Sequence, residues 1–79
     1  MPEPPFLSIE EFKSFILSLL DDRPAFIRIG QNAANLLSTH HMPLYKWIYV
    51  YYKDADPFYD DNRMGEFIKF LASAVDLNK

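Results

Sequence analysis

Two adjacent histidines, His40 and His41, and the carboxylates Asp54, Asp56, Asp60, Asp61 and Glu66 are the residues whose types first invite a search for chemistry. Neighbouring histidines point in different directions in most conformations, whereas a helical metal site wants them three or four residues apart. The acidic run fails as a calcium loop. With Asp54 and Asp56 at positions 1 and 3, Tyr59 falls at position 6, where glycine is needed. Gly65 then falls at position 12, and Glu66 comes one residue late. Ser38 and Thr39 lie near the histidines, but no spacing marks a nucleophile, a base and an orienting acid. The expectation is no metal, no cofactor, no small-molecule substrate and no catalysis.

Residues suited to binding are more plentiful. Arg28, Gln31, Asn32 and Asn35 fall at i, i+3, i+4 and i+7 of one helical face. These side-chain types read base edges through paired hydrogen bonds, and they equally tie a helix to a loop. The block Tyr45-Lys46-Trp47-Ile48-Tyr49-Val50-Tyr51-Tyr52-Lys53 interleaves rings with lysines. If it is helical, Trp47, Ile48 and Tyr51 turn inward, and Tyr45, Tyr49 and Tyr52 stand outside or half-buried. Exposed tyrosines favour a protein interface. The reading is therefore a small interaction protein whose contact set is Tyr45, Lys46, Tyr49, Tyr52 and Lys53, with Arg28 and Asn32 at its edge. Its partner is another protein or a second copy. The alternative is a nucleic-acid-associated protein using the Arg/Gln/Asn face and the basic middle, although sparse cations limit phosphate contacts.

Charge is unevenly spread. Residues 24 to 53 carry Arg28, Lys46 and Lys53 and no carboxylate, a balance of +3. Residues 54 to 66 carry five carboxylates against Arg63 alone, a balance of −4. The two strings Arg28-x-Gly30-Gln31-x-x-x-Asn35-Leu36 and Asp56-Pro57-Phe58-Tyr59-Asp60-Asp61-x-Arg63, with Pro43-Leu44 between them and Phe67-x-x-Phe70-Leu71 after, resemble a group of short uncharacterised proteins of bacteria and their phages. The similarity spans roughly residues 26 to 71 and implies a helical 43–53 segment. This chain departs from the group there, with tyrosines and tryptophan in place of charged residues. Physically, the two strings predict one structural network, in which Arg28, Gln31 and Asn35 bind the loop that carries Asp56, Asp60 and Asp61. Gly30 would permit close approach.

These residues need elements to hold them. Ser8 and Glu11 form a capping box for a first helix over 8–20, with Ile9, Phe12, Ile16, Leu19 and Leu20 on its apolar face and Phe15 at the flank. Asp22 and Pro24 start a second helix over 23–38, with the stripe Phe26, Ile29, Ala33, Leu36 and Leu37. Residues 43–53 have strand-like composition, yet Pro43 and the spacing of Leu44, Trp47, Ile48 and Tyr51 favour a helix. Asp60 or Asp61 caps a last helix over 61–75, with the stripe Met64, Phe67, Ile68, Leu71, Ala74 and Val75. Three prolines in the first five residues predict a flexible arm over 1–7, outside a single helical domain over 8–79.

Composition sets the bounds. The chain has 8 Lys+Arg, 11 Asp+Glu, a net charge of −3 and no cysteine, which removes disulfides and thiol chemistry. The class is all-α, with four short helices. A chain this size buries only about 60–65% of its unfolded surface. Its 16% aromatic content must fill a dense core or furnish a contact surface. No apolar run spans a bilayer and the acidic, proline-rich start is unlike a leader, so a cytoplasmic setting is expected.

Overall fold

Ser8 and Glu11 exchange the two bonds of a capping box. The Glu11 amide donates to Ser8 Oγ at 3.0 Å, and the Ser8 amide donates to Glu11 Oε1 at 2.9 Å. They start α1 (Ile9–Asp21) in a computed structural model of the chain, which describes residues 2–21 and 26–77. Three further helices follow, α2 (Ile29–His40), α3 (Met42–Tyr51) and α4 (Met64–Ser73). Single 3-10 turns occupy Lys53–Ala55 and Asp61–Arg63. The domain is all-α, and among the described residues only an isolated bridge pairs extended chain.

The helix expected from residue 23 starts at Ile29, because Arg28 is extended (φ −64°, ψ 153°). Phe26, placed on its apolar stripe by periodicity, lies before the helix and is fully exposed. The Asp22 and Pro24 start signal lies outside the described residues. The ambiguous segment is helical. His41 Nδ1 accepts from the Leu44 amide at 3.2 Å, and Pro43 occupies the first turn, where its missing N–H is harmless. Asp60 accepts from the Asn62 amide at 2.9 Å and starts the 3-10 turn that runs into α4.

The core gathers Phe15, Ala33, Leu37, Leu44, Ile48, Ala55, Phe67, Leu71 and Ala74 around a T-shaped Phe15–Phe67 pair, with centroids 6.0 Å apart. Phe15 is thus the buried centre of α1, where periodicity set it at the flank, and Leu20 is 76% exposed. Helix α1 is apolar over so much of its circumference that spacing alone left its phase open. A similar rotation turns Tyr51 outward from α3, while Trp47 stacks on Phe70 at 5.4 Å.

The N-terminal arm belongs to the fold. Leu7 is buried in the core and forms a parallel bridge with Val75. Its amide donates to the Ala74 carbonyl at 2.9 Å, and its carbonyl accepts from the Asp76 amide at 2.8 Å. The Trp47 indole N–H donates to the Pro2 carbonyl at 3.1 Å. Proline composition pointed to an arm outside the fold, but a polyproline-like segment has its backbone groups free to meet such partners. Among the described residues, no helix is long and apolar enough to cross a membrane.

Candidate functional site

The loop from Asp56 to Asp61 is clamped between α2 and α3, and the clamp shapes the surface beside it. Arg28 donates from Nη1 to Asp61 Oδ1 at 3.1 Å and from Nη2 to the Phe58 carbonyl at 2.7 Å. Asp61 Oδ1 also accepts from the Gly30 amide at 2.9 Å. A Cβ on Gly30 would collide with the Pro57 carbonyl and stand 2.7 Å from Asp61 Oδ1, so only glycine admits the loop this closely. On the α3 side, Asp56 accepts from the Tyr45 hydroxyl at 3.2 Å to each oxygen, and from the Phe58 amide at 3.0 Å in an Asx-type turn.

The network is narrower than the sequence predicts. Arg28, Asp56, Asp60 and Asp61 each hold part of the loop, but the side chains of Gln31 and Asn35 make no hydrogen bond to it among the described residues. Among the described residues the loop's hydrogen bonds at the start of α2 are those of Arg28 and Gly30, and Asn35 lies five residues beyond Gly30 and is exposed. Its carbonyl accepts from the Ser38 and Thr39 hydroxyls at 2.8 and 3.0 Å. Asn32 is buried. With Arg28 committed to the loop and Asn32 inside, the four-residue face set up for base readout does not form one outward surface.

Beside the clamp lies a groove of about 430 Å³. Met42, Tyr45, Lys46 and Tyr49, at i, i+3, i+4 and i+7 of α3, form one wall. Phe58 and Tyr59 line the groove from the loop, and Asp56 and Ser38 complete the lining. Phe58 and Tyr59 pack edge to face at 4.7 Å. Tyr59 is 82% exposed and Tyr49 54%, so both rings stand open to solvent. The Tyr45 hydroxyl is held in its protonated form well above its usual pKa of 10.0, first by burial and then by the Asp56 charge beside it.

Of the five residues expected at a contact surface, the groove brings together Tyr45, Lys46 and Tyr49. Tyr52 turns instead toward α4, its ring edge-on to Phe70 at 5.7 Å and its hydroxyl 3.3 Å from Glu66 Oε2. The Glu66 carboxylate, with a smaller contribution from burial, raises its pKa. Lys53 lies outside the groove with Nζ 5.8 Å from the Tyr49 ring centre. Met42, Phe58 and Tyr59 are groove residues that sequence reasoning did not select. Met42 was detectable as the residue one helical turn before Tyr45 on the same face. Nothing local marked the loop rings, because their placement depends on the remote Arg28 and Gly30.

The histidines have separate structural roles. His40 lies edge-on to Phe15 at 6.4 Å, and His41 caps α3. A second groove, of about 320 Å³, runs along α1 between Phe12, Lys13, Ile16 and Leu17. Comparison with models of protein families, with curated proteins and with solved structures finds no match. The resemblance carried by the two strings therefore rests on their residues alone.

Proposed function

We propose that this chain is a small, non-enzymatic interaction domain of the cytoplasm that binds another protein, or a second copy of itself, through the groove between α3 and the 56–61 loop. The observation that carries this reading is the open aromatic wall pair, Tyr45 and Tyr49 facing Phe58 and Tyr59, on a rigidly tethered frame. Tyrosines supply large contact area at little conformational cost, and they are enriched where interface energy concentrates. A loop clamped by Arg28, Gly30 and Tyr45 keeps its rings in place before a partner arrives, which lowers the ordering cost of association.

A binding role fits the polar groups as well. The Ser38 and Thr39 hydroxyls are spent on a backbone carbonyl, and the His41 imidazole is spent on a helix cap.

The test is affinity capture from the native host with the wild type and a Tyr49→Ala, Tyr59→Ala double variant. Both rings are exposed, so the variant should melt like the wild type. The reading expects one partner retained by the wild type and lost by the variant. Identical capture by the two proteins would move the interface off the groove.

A further inference from the structure

We propose that the groove recognises a protein segment offering a lysine or arginine side chain, whose cation enters between the aromatic walls and meets the Asp56 carboxylate. This rests on the protein-binding reading above and names the partner's chemistry.

Asp56 is the one charged residue buried among the described residues, with 8% of its surface exposed, and it lines the groove. Its hydrogen-bond donors, the Tyr45 hydroxyl and the Phe58 amide, are both neutral. Among the described residues, each ion pair uses another carboxylate: Asp61 with Arg28, Glu11 with His41, Asp60 with Arg63 and Glu66 with Lys69. A carboxylate offers about four acceptor positions, so capacity remains for a charged donor. Among the described residues no cation pairs with this buried carboxylate, and a buried charge is best accommodated when it is both hydrogen-bonded and paired.

The walls suit the same ligand. Four rings line the groove, and the face of each carries the negative end of its quadrupole, which attracts an ammonium or guanidinium group within about 6 Å. Tyr49 already has one cation at that range, Lys53 Nζ. The apolar stem of a lysine or arginine would pack along the rings while its head reaches the carboxylate. An anionic ligand would meet the like charge of Asp56 in the lining. A neutral apolar ligand would leave the carboxylate buried without a counter-charge.

Lys46 lines the same groove and opposes an incoming cation, which gives the proposal a signed test. Three blocked tripeptides, acetyl-Leu-X-Leu-amide with X as lysine, arginine or the neutral isostere norleucine, are titrated into the full chain while amide resonances are followed by NMR. The expected result is a shift of the Tyr49, Phe58 and Tyr59 amides, with at least one cationic peptide binding fivefold or more tightly than the norleucine peptide. Lys46→Met, a change on an exposed side chain, should tighten the cationic peptide several-fold, and Tyr49→Leu should abolish its preference. Asp56 also anchors the loop, so its replacement is not needed to decide the matter. Equal affinity for norleucine, or weaker cationic binding by Lys46→Met, would overturn the cation site and leave an apolar protein-binding groove standing. No groove shift with any peptide at millimolar concentration would also overturn it. The capture experiment then reads separately whether the groove binds protein at all.

Discussion

The Asp61 carboxylate lies 2.9 Å from the Gly30 amide, 31 residues away in sequence, and caps α2 from outside. Arg28, at the N-cap position, has no side-chain oxygen with which to cap its own helix. The carboxylate satisfies one of the free amides of the first turn, and its charge is favoured at the positive end of the helix dipole. Arg28 then neutralises the same carboxylate at 3.1 Å. One acidic residue therefore closes the loop, caps a helix and fixes one wall of the groove.

Removing Asp61 should accordingly cost more than removing Arg28. Both side chains are close to half exposed, so the ion pair itself is worth at most about 1 kcal/mol. Loss of the cap adds about 1 kcal/mol. Asp61→Ala is expected to lower the unfolding free energy by about 1–2 kcal/mol, and Arg28→Ala by about 0.5–1.5 kcal/mol. Urea denaturation of both variants measures this; an unchanged midpoint for Asp61→Ala would remove the remote cap from the account.

The two glycines should respond to alanine with opposite signs. Helix propensity alone favours alanine over glycine by up to about 1 kcal/mol. At Gly65 nothing lies within 4 Å of the added methyl, so Gly65→Ala should be neutral or stabilising. At Gly30 the methyl meets the Pro57 carbonyl and Asp61, so Gly30→Ala should destabilise by about 1–3 kcal/mol despite the propensity gain. Thermal melts of the pair compare them directly.

Leu7→Ala should cost about 2–5 kcal/mol, the range for a buried leucine. A residue in an arm outside the fold would cost almost nothing. Chemical denaturation of the full-length variant distinguishes the two.

Alkaline pH should weaken the fold through Tyr45. Its pKa is raised in the folded state by burial and by Asp56, so the unfolded chain loses this proton first. The stabilisation is fully present below pH 10 and declines as pH rises above it, with a slope of at most about 1.4 kcal/mol per pH unit. Tyr45→Phe should remove that component of the slope and lower stability at neutral pH by about 1 kcal/mol, since Asp56 loses a donor. Urea titrations of both proteins across alkaline pH test the difference in slope.

Much of the fold was legible because it is written in local signals. The Ser8–Glu11 box, Pro43 at the start of α3 and the Asp60 cap each act within a few residues of the element they start. The start of α2 was not legible, since its cap comes from Asp61, and the burial of Phe15 was not, since α1 is apolar on too many sides. Leu7 was hidden by the prolines beside it. In the candidate site, the opposite charges of Arg28 and the acidic loop pointed to their contact, while Gln31 and Asn35 share a helical face with Arg28 yet make no hydrogen bond to the loop among the described residues. Phe58 and Tyr59 gain their place only from tertiary contacts, which spacing along a chain does not encode.

The groove's role as a contact surface is tested most directly by placing a photo-crosslinking amino acid at position 49, in the groove, and separately at Lys69, exposed on α4 outside it, in the chain expressed in its host. Irradiation should give a discrete crosslinked species from position 49, of either a partner or a dimer, and none of that size from position 69. No crosslink at position 49, or the same products from both positions, would contradict the account.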